Sequence, residues 1–163
     1  AEEALSDGRK IFTELTAQNY QNEVREFKGP LIVFFYAQWC PYSGSLLPIY
    51  EGIEKEYAGK IKFCRYLLGE EYKDFSSPEC KIRWQSLQEN HDIDTIPTLI
   101  MFNQGQELDR MSGRPEKEIV ESYRLFLKEW VDTNLIHPQD EPYRFAGTLL
   151  LHKESIKKSK ENE

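Results

Sequence analysis

Five consecutive residues, Trp39-Cys40-Pro41-Tyr42-Ser43, carry the most reactive chemistry this chain offers. Cys40 is their nucleophile, because a thiolate attacks a disulfide sulfur and forms a mixed disulfide. The start of a helix favours that thiolate through unpaired backbone N–H groups and the helix dipole. Pro41 signals such a start, since proline suits the first helical turn, where no N–H is needed. Ser43 follows Cys40 by three residues. That is nearly one helical turn, so its hydroxyl either donates a hydrogen bond to the sulfur or contacts only backbone at the helix start. Trp39 and Tyr42 flank the thiol as aromatics able to touch a client; the alternative is partial packing on the helix. Cys40 itself also has a plainer reading, as a vestigial cysteine on a domain used for docking.

Two further cysteines leave two readings open. Cys64 falls in an apolar stretch and behaves as a small hydrophobe there, while Cys80 ends a long polar and aromatic segment. Both are free thiols, or a Cys64–Cys80 disulfide closes that segment, which would imply an oxidising compartment. The histidines His91, His137 and His152 are scattered without metal-ligand spacing, and no metal or cofactor is expected.

The chain has 163 residues, three of them cysteine, 39% hydrophobic residues and a net charge of −7. These values exclude a disulfide-rich scaffold and a disordered chain, and they disfavour nucleic-acid binding, which needs a basic face. The longest apolar run, residues 31–37, is far shorter than the roughly 20 residues that span a bilayer. The chain begins at Ala1 without an apolar leader run. Its compartment is therefore unassigned, with the cytoplasm favoured and an exported or organellar location following only from a Cys64–Cys80 disulfide.

The elements that must position Cys40 follow from periodicity. Residues 11–15 read as a short edge strand, and Thr16 caps a helix over 17–27 whose inward residues are Val24 and Phe27. Residues 31–37 read as a strand buried on both faces, as in a parallel sheet covered by helices. Residues 41–57 form a helix with Leu46, Leu47, Ile49, Tyr50, Ile53 and Tyr57 inward, kinked by Pro48 and closed by Gly59. A strand over 61–66, a long insertion over 67–80 containing Tyr72 and Phe75, and a short helix over 81–90 come next. Residues 98–102 and 107–111 form a hairpin around Asn103-Gln104-Gly105-Gln106. A last helix over 115–132 turns Ile119, Tyr123, Phe126, Leu127 and Trp130 inward. The order is βαβαβαββα, an α/β fold with a mixed central sheet between helices. A proline-containing linker over 137–142, a short apolar patch over 143–151 and a charged tail over 153–163 follow.

Several of these features, in this order, resemble the thioredoxin family over roughly residues 10–134. The apolar strand ends in Phe35-Tyr36-Ala37-Gln38-Trp39-Cys40, and Pro48 follows the cysteine by eight residues. Ile96-Pro97-Thr98 is similar to the family's cis-proline loop, Asn103-Gln104-Gly105-Gln106 to its hairpin, and Gly113 to the glycine after its last strand. Cys-Pro-Tyr is also close to the glutaredoxin motif, but the leading βα unit and the lack of a downstream Gly-Gly pair favour thioredoxin. The resemblance implies a thioredoxin-like fold with helices on both faces and an exposed redox cysteine beside the cis-proline loop. It also implies a backbone cradle at Ile96, Pro97 and Thr98 for an extended client segment.

The departures from the family pattern shape the expected activity. A second, resolving cysteine is implied where Ser43 stands, a buried aspartate where Phe34 stands, and a strand lysine where Arg65 stands. Serine forms no disulfide, so the expectation is a monothiol site. Cys40 attacks protein or glutathione disulfides, Ser43 assists, Trp39, Pro41, Tyr42, Ile96, Pro97 and Thr98 contact the client, and an external thiol such as glutathione releases it. The alternatives are a redox-inactive interaction module docking through 67–80 and 135–163, and a Cys→Ser trap form of a dithiol enzyme. A single engineered exchange would leave the aspartate in place, which favours natural divergence. The expected organisation is a lead-in over 1–9, a thioredoxin-like domain over 10–134 and a C-terminal extension over 135–163.

Overall fold

The computed structural model of the chain describes residues 11–37, 40–68, 78–112, 117–136 and 147–148, of which 79, 80, 117–121, 147 and 148 by backbone alone. The lead-in, Trp39, Tyr72, Phe75, Gly113, Pro115 and most of the C-terminal extension lie outside the described residues.

A strand whose residues are all apolar belongs at the centre of a sheet, and Pro30–Tyr36 (β2) takes that place. The strand Phe12–Glu14 (β1) and the strand Lys62–Leu67 (β3) lie to one side, β1 pairing with β3 and β3 with β2, all parallel. The strand Thr98–Asn103 (β4) pairs antiparallel with the other edge of β2, and Gln106–Ser112 (β5) pairs antiparallel with β4. A sixth strand, Gly147–Thr148 (β6), pairs parallel with the outer edge of β5 at Met111 and Ser112. The sheet order is β1-β3-β2-β4-β5-β6. The apolar patch of the C-terminal extension thus supplies a strand that its weak periodicity did not reveal.

Alternation along β2 builds two cores. Ile32, Phe34 and Tyr36 face the helix Pro41–Glu56 (α1) and the helix Lys117–Val131 (α3), and pack with Tyr50, Ile53, Tyr123, Leu127 and Trp130. Leu31, Val33, Phe35 and Ala37 face the helix Pro78–His91 (α2), and pack with Leu87, Ile93, Cys64 and Val24. Each buried side chain of this size contributes roughly 1.5–3 kcal/mol.

Two elements differ from expectation, and a third, α1, stands as expected. The helix expected over 17–27 is a turn followed by a π-helical turn, Gln21–Arg25. Thr16 does act as a cap: its Oγ1 accepts from the Asn19 N–H at 3.1 Å, while Asn19 Oδ1 accepts from the Thr16 N–H at 2.7 Å. Tyr20 and Val24 of that segment are buried in the core and Phe27 packs half-buried against it, too few apolar residues to hold a longer helix. The helix expected over 81–90 begins earlier, at Pro78, so Cys80 is helical rather than the end of a loop. α1 runs through Pro48, which lacks the N–H that would bond the Gly44 carbonyl.

Candidate active site

Strand register brings the reactive residues together. Phe35 of β2 pairs with Thr98 of β4. The segment leaving β2 toward Cys40 therefore lies beside the segment entering β4 through Ile96 and Pro97. Cys40 is the N-cap of α1, with φ −89° and ψ 119°, and Pro41 opens the helix. The cap is fixed by backbone: the Cys40 N–H donates to the Ala37 carbonyl at 3.1 Å, and the Gly44 N–H donates to the Cys40 carbonyl at 3.0 Å. The Cys40 Sγ lies 4.0 Å from the Ile96 carbonyl oxygen, and the Ile96–Pro97 peptide bond is cis. Thr98 is buried, its Oγ1 donating to the Thr95 carbonyl at 2.5 Å, which ties the loop to the first residue of β4.

Not every expected site residue stands as the sequence suggested. Cys40 is only 4% exposed, because its sulfur tucks under the Ile96 carbonyl; the expectation of an exposed cysteine is corrected. Pro41 and Tyr42 are exposed, whereas Ile96, Pro97 and Thr98 are buried. Ser43 is buried, and its Oγ accepts the Ala37 N–H at 3.3 Å. The contact of this hydroxyl is with backbone, as in the simpler of its two readings, and not with the Cys40 sulfur. Trp39 lies outside the described residues.

The Cys64–Cys80 disulfide is also corrected: Cys64 is a free, buried thiol. It sits within β3 opposite Val33, enclosed between the sheet and the α2 side. Burial, with Glu23 and Glu54 adding to it against Lys62, pushes the Cys64 thiol up to about 12. That setting favours the protonated thiol at neutral pH.

Phe34, where the resemblance implied a buried aspartate, belongs to an aromatic cluster. Phe34 is fully buried, stacked on Tyr36 at 5.0 Å and tilted against Tyr50 at 4.7 Å. Charge appears deeper in the same core, where periodicity had suggested only apolar residues. Glu54 of α1 is 2% exposed and accepts from both Arg65 Nε at 2.9 Å and Arg65 Nη2 at 2.5 Å. The guanidinium also lies 3.7 Å over the Phe12 ring. Burial works against the Arg65 charge, but the Glu54 carboxylate outweighs it and holds Arg65 above the ordinary arginine value. Tyr50, one helical turn before Glu54, donates to the Cys64 carbonyl at 2.9 Å and to that of Ile32 at 3.3 Å. The signal for this pair was present in the sequence: Glu54 shares the inward face of α1 with Tyr50, four residues earlier. Among the described residues no group of three or more His, Cys, Asp or Glu could hold a metal ion. Nor is any helix there long and apolar enough to cross a membrane.

A mixed sheet with helices on both faces, a cysteine capping the first long helix and a cis-proline loop against its sulfur define a thiol–disulfide redox protein. Comparison with known proteins agrees: the family model described as Thioredoxin matches residues 11–124, and the chain belongs to the thioredoxin family. Its relatives include the thioredoxin of Buchnera aphidicola subsp. Acyrthosiphon pisum, 34% identical over 122 residues that cover 75% of this chain and 94% of that protein. The thioredoxin of Rickettsia bellii is 27% identical over 123 residues, covering 76% of this chain and 98% of that protein.

Proposed function

We propose that the chain carries out disulfide exchange through one cysteine, forming mixed disulfides that an external thiol resolves. The observation that carries this reading is Ser43, buried in the resolving position with its hydroxyl on the Ala37 N–H. The Cys40 thiolate attacks one sulfur of a client disulfide; the new S–S bond forms as the old one breaks, and the departing thiolate takes a proton. A second thiol, glutathione or a client cysteine, then attacks the mixed disulfide and returns Cys40 to the thiolate. No net electron transfer to or from the chain is required, which suits isomerisation, glutathione exchange or client retention. Pro41, Tyr42 and the Ile96-Pro97-Thr98 loop are the client contacts in this reading, and residues 10–134 form the catalytic domain.

The test is reaction with a peptide disulfide followed by intact-mass measurement. A long-lived adduct on Cys40, released by added glutathione and absent in Cys40→Ala, is the expected result. Insulin reduction at a dithiol thioredoxin's rate by the unmodified chain would overturn the monothiol assignment. The low exposure of Cys40 favours one second reading, a redox-inactive interaction module docking through 67–80 and 135–163. Absence of any adduct in the native state would select it.

A further inference from the structure

The Ile96 carbonyl meets the Cys40 sulfur at 4.0 Å, and the segment that leads to it, His91 to Pro97, carries two aspartates. Ile93 is buried and anchors it, its N–H donating to the Leu87 carbonyl at 3.2 Å, so Asp92 and Asp94 on either side both face solvent. Asp92 has a cation nearby: Arg110 donates to the Asp92 carbonyl at 2.9 Å and to the His91 carbonyl at 3.4 Å. That guanidinium is already committed, since it also pairs with Glu107 at 2.6 Å. Asp94 is different. Among the described residues no hydrogen bond or ion pair engages its carboxylate, and it stands two residues before Ile96, whose carbonyl meets the Cys40 sulfur at 4.0 Å. The described cations of α2, Lys81 and Arg83, lie at least eight residues up the helix from His91, about 12 Å away along its axis.

We propose that Asp94 sets the charge preference of the Cys40 site, favouring disulfides with a positive charge beside the sulfur over anionic ones such as oxidised glutathione. The favoured natural clients are protein segments with Lys or Arg next to the reacting cysteine. This inference rests on the exchange reading above. Two residues span at most about 7 Å and the Ile96 carbonyl oxygen lies 4.0 Å from the sulfur, so the Asp94 backbone stands within about 14 Å of the reacting sulfur, and a carboxylate turned toward the site stands about 10 Å from it. That is close to the Debye length at physiological salt, and an unscreened unit charge at this range changes a rate about twofold in water. A leaving half that carries +1 is accelerated by that factor and one that carries −1 is slowed by it, so Asp94 separates the two about fourfold at low salt.

The experiment measures second-order rates of mixed-disulfide formation on Cys40 with cystamine, oxidised glutathione and neutral hydroxyethyl disulfide. The parent chain is compared with Asp94→Asn, Asp94→Lys and, as a control for net charge, Glu129→Gln on α3. The quantity read is the cystamine-to-glutathione rate ratio of each variant divided by that of the parent, which cancels the intrinsic reactivity of the probes. The expected result is a roughly fourfold fall for Asp94→Asn, a larger fall for Asp94→Lys, and little change for Glu129→Gln. The hydroxyethyl disulfide rate reports the effect of each substitution on the thiolate itself, which the ratio cancels, and 0.5 M salt should erase the differences in the ratio. An Asp94→Asn ratio equal to the parent's, with all three probes still reacting, overturns this inference and leaves the exchange reading standing. Failure of every probe to react overturns the exchange reading and this inference with it.

Discussion

At the scale of single residues, two cysteines in one core have opposite settings. Cys40 caps a helix next to an exposed Tyr42, while Cys64 is fully enclosed and its thiol is pushed up to about 12 by burial. Iodoacetamide at neutral pH is therefore expected to label Cys40 much faster than Cys64, as peptide mass mapping would show; equal rates in the folded chain would contradict the assignment. The Glu54–Arg65 pair makes a second residue-scale prediction. Truncating one partner leaves the other charge buried and unpaired, so Glu54→Ala should cost about 3–5 kcal/mol in urea unfolding. The double variant Glu54→Leu/Arg65→Met removes both charges and should lie closer to the parent than the single variant does. A single Glu54→Ala variant as stable as the parent would show that the pair is not structural.

At the scale of elements, the hairpin joining β4 and β5 is locked to the π-helical turn on the α2 side. Gln104 and Gly105 take φ values of +54° and +78°, the left-handed pair that a two-residue hairpin demands. A Cβ on Gly105 would also lie 2.1 Å from the Arg25 carbonyl oxygen. Gly59, which closes α1 with φ +84°, has open space where its Cβ would be. Gly59→Ala thus costs only the backbone penalty, about 1–2 kcal/mol, whereas Gly105→Ala adds a clash with backbone and should cost more. Urea midpoints of the two variants test this order, and equal losses would mean that the hairpin is free to move away from Arg25. The element that periodicity missed, β6, is explained at this scale too. A two-residue strand has no pattern of its own, and it exists because β5 offers an open edge at Met111 and Ser112.

At the scale of the whole molecule, stability should depend on pH through a half-buried ring at the end of α2. His91 ends α2 with its ring against Tyr20 at 4.2 Å, Phe35 at 5.5 Å and Tyr66 at 5.7 Å, and its Nδ1 is buried without a partner. Burial, then the nearby Arg25 and Arg110, lower its pKa to about 4. In the unfolded chain an imidazole titrates near 6.5. Between these values the unfolded state binds the extra proton, so stability falls with falling pH. The contribution of a neutral His91 is complete above about 6.5, declines toward 4 and is absent below. His91→Phe should fold and lose this component, so its urea midpoint should drop less than the parent's between pH 7 and pH 4.5. Equal drops would place the pH sensitivity elsewhere, in carboxylates common to both chains.

Local chemistry alone determined much of this protein. The run of seven apolar residues made β2 central, Pro41 placed the helix start at Cys40, and Ser43 and Phe34 stand where the resemblance implied a cysteine and an aspartate. These features depend on neighbours in the chain, which periodicity, capping and proline geometry report directly. What only the tertiary structure decided depends on pairings across the fold. The Phe35–Thr98 register sets Ile96 over the Cys40 sulfur, the β3–α1 packing joins Arg65 to Glu54, and the buried setting of β3 keeps Cys64 a free thiol. Ser43 turned toward the Ala37 N–H for a related reason. A buried hydroxyl takes whichever partner the fold brings within hydrogen-bond reach, and sequence spacing alone does not say which that is.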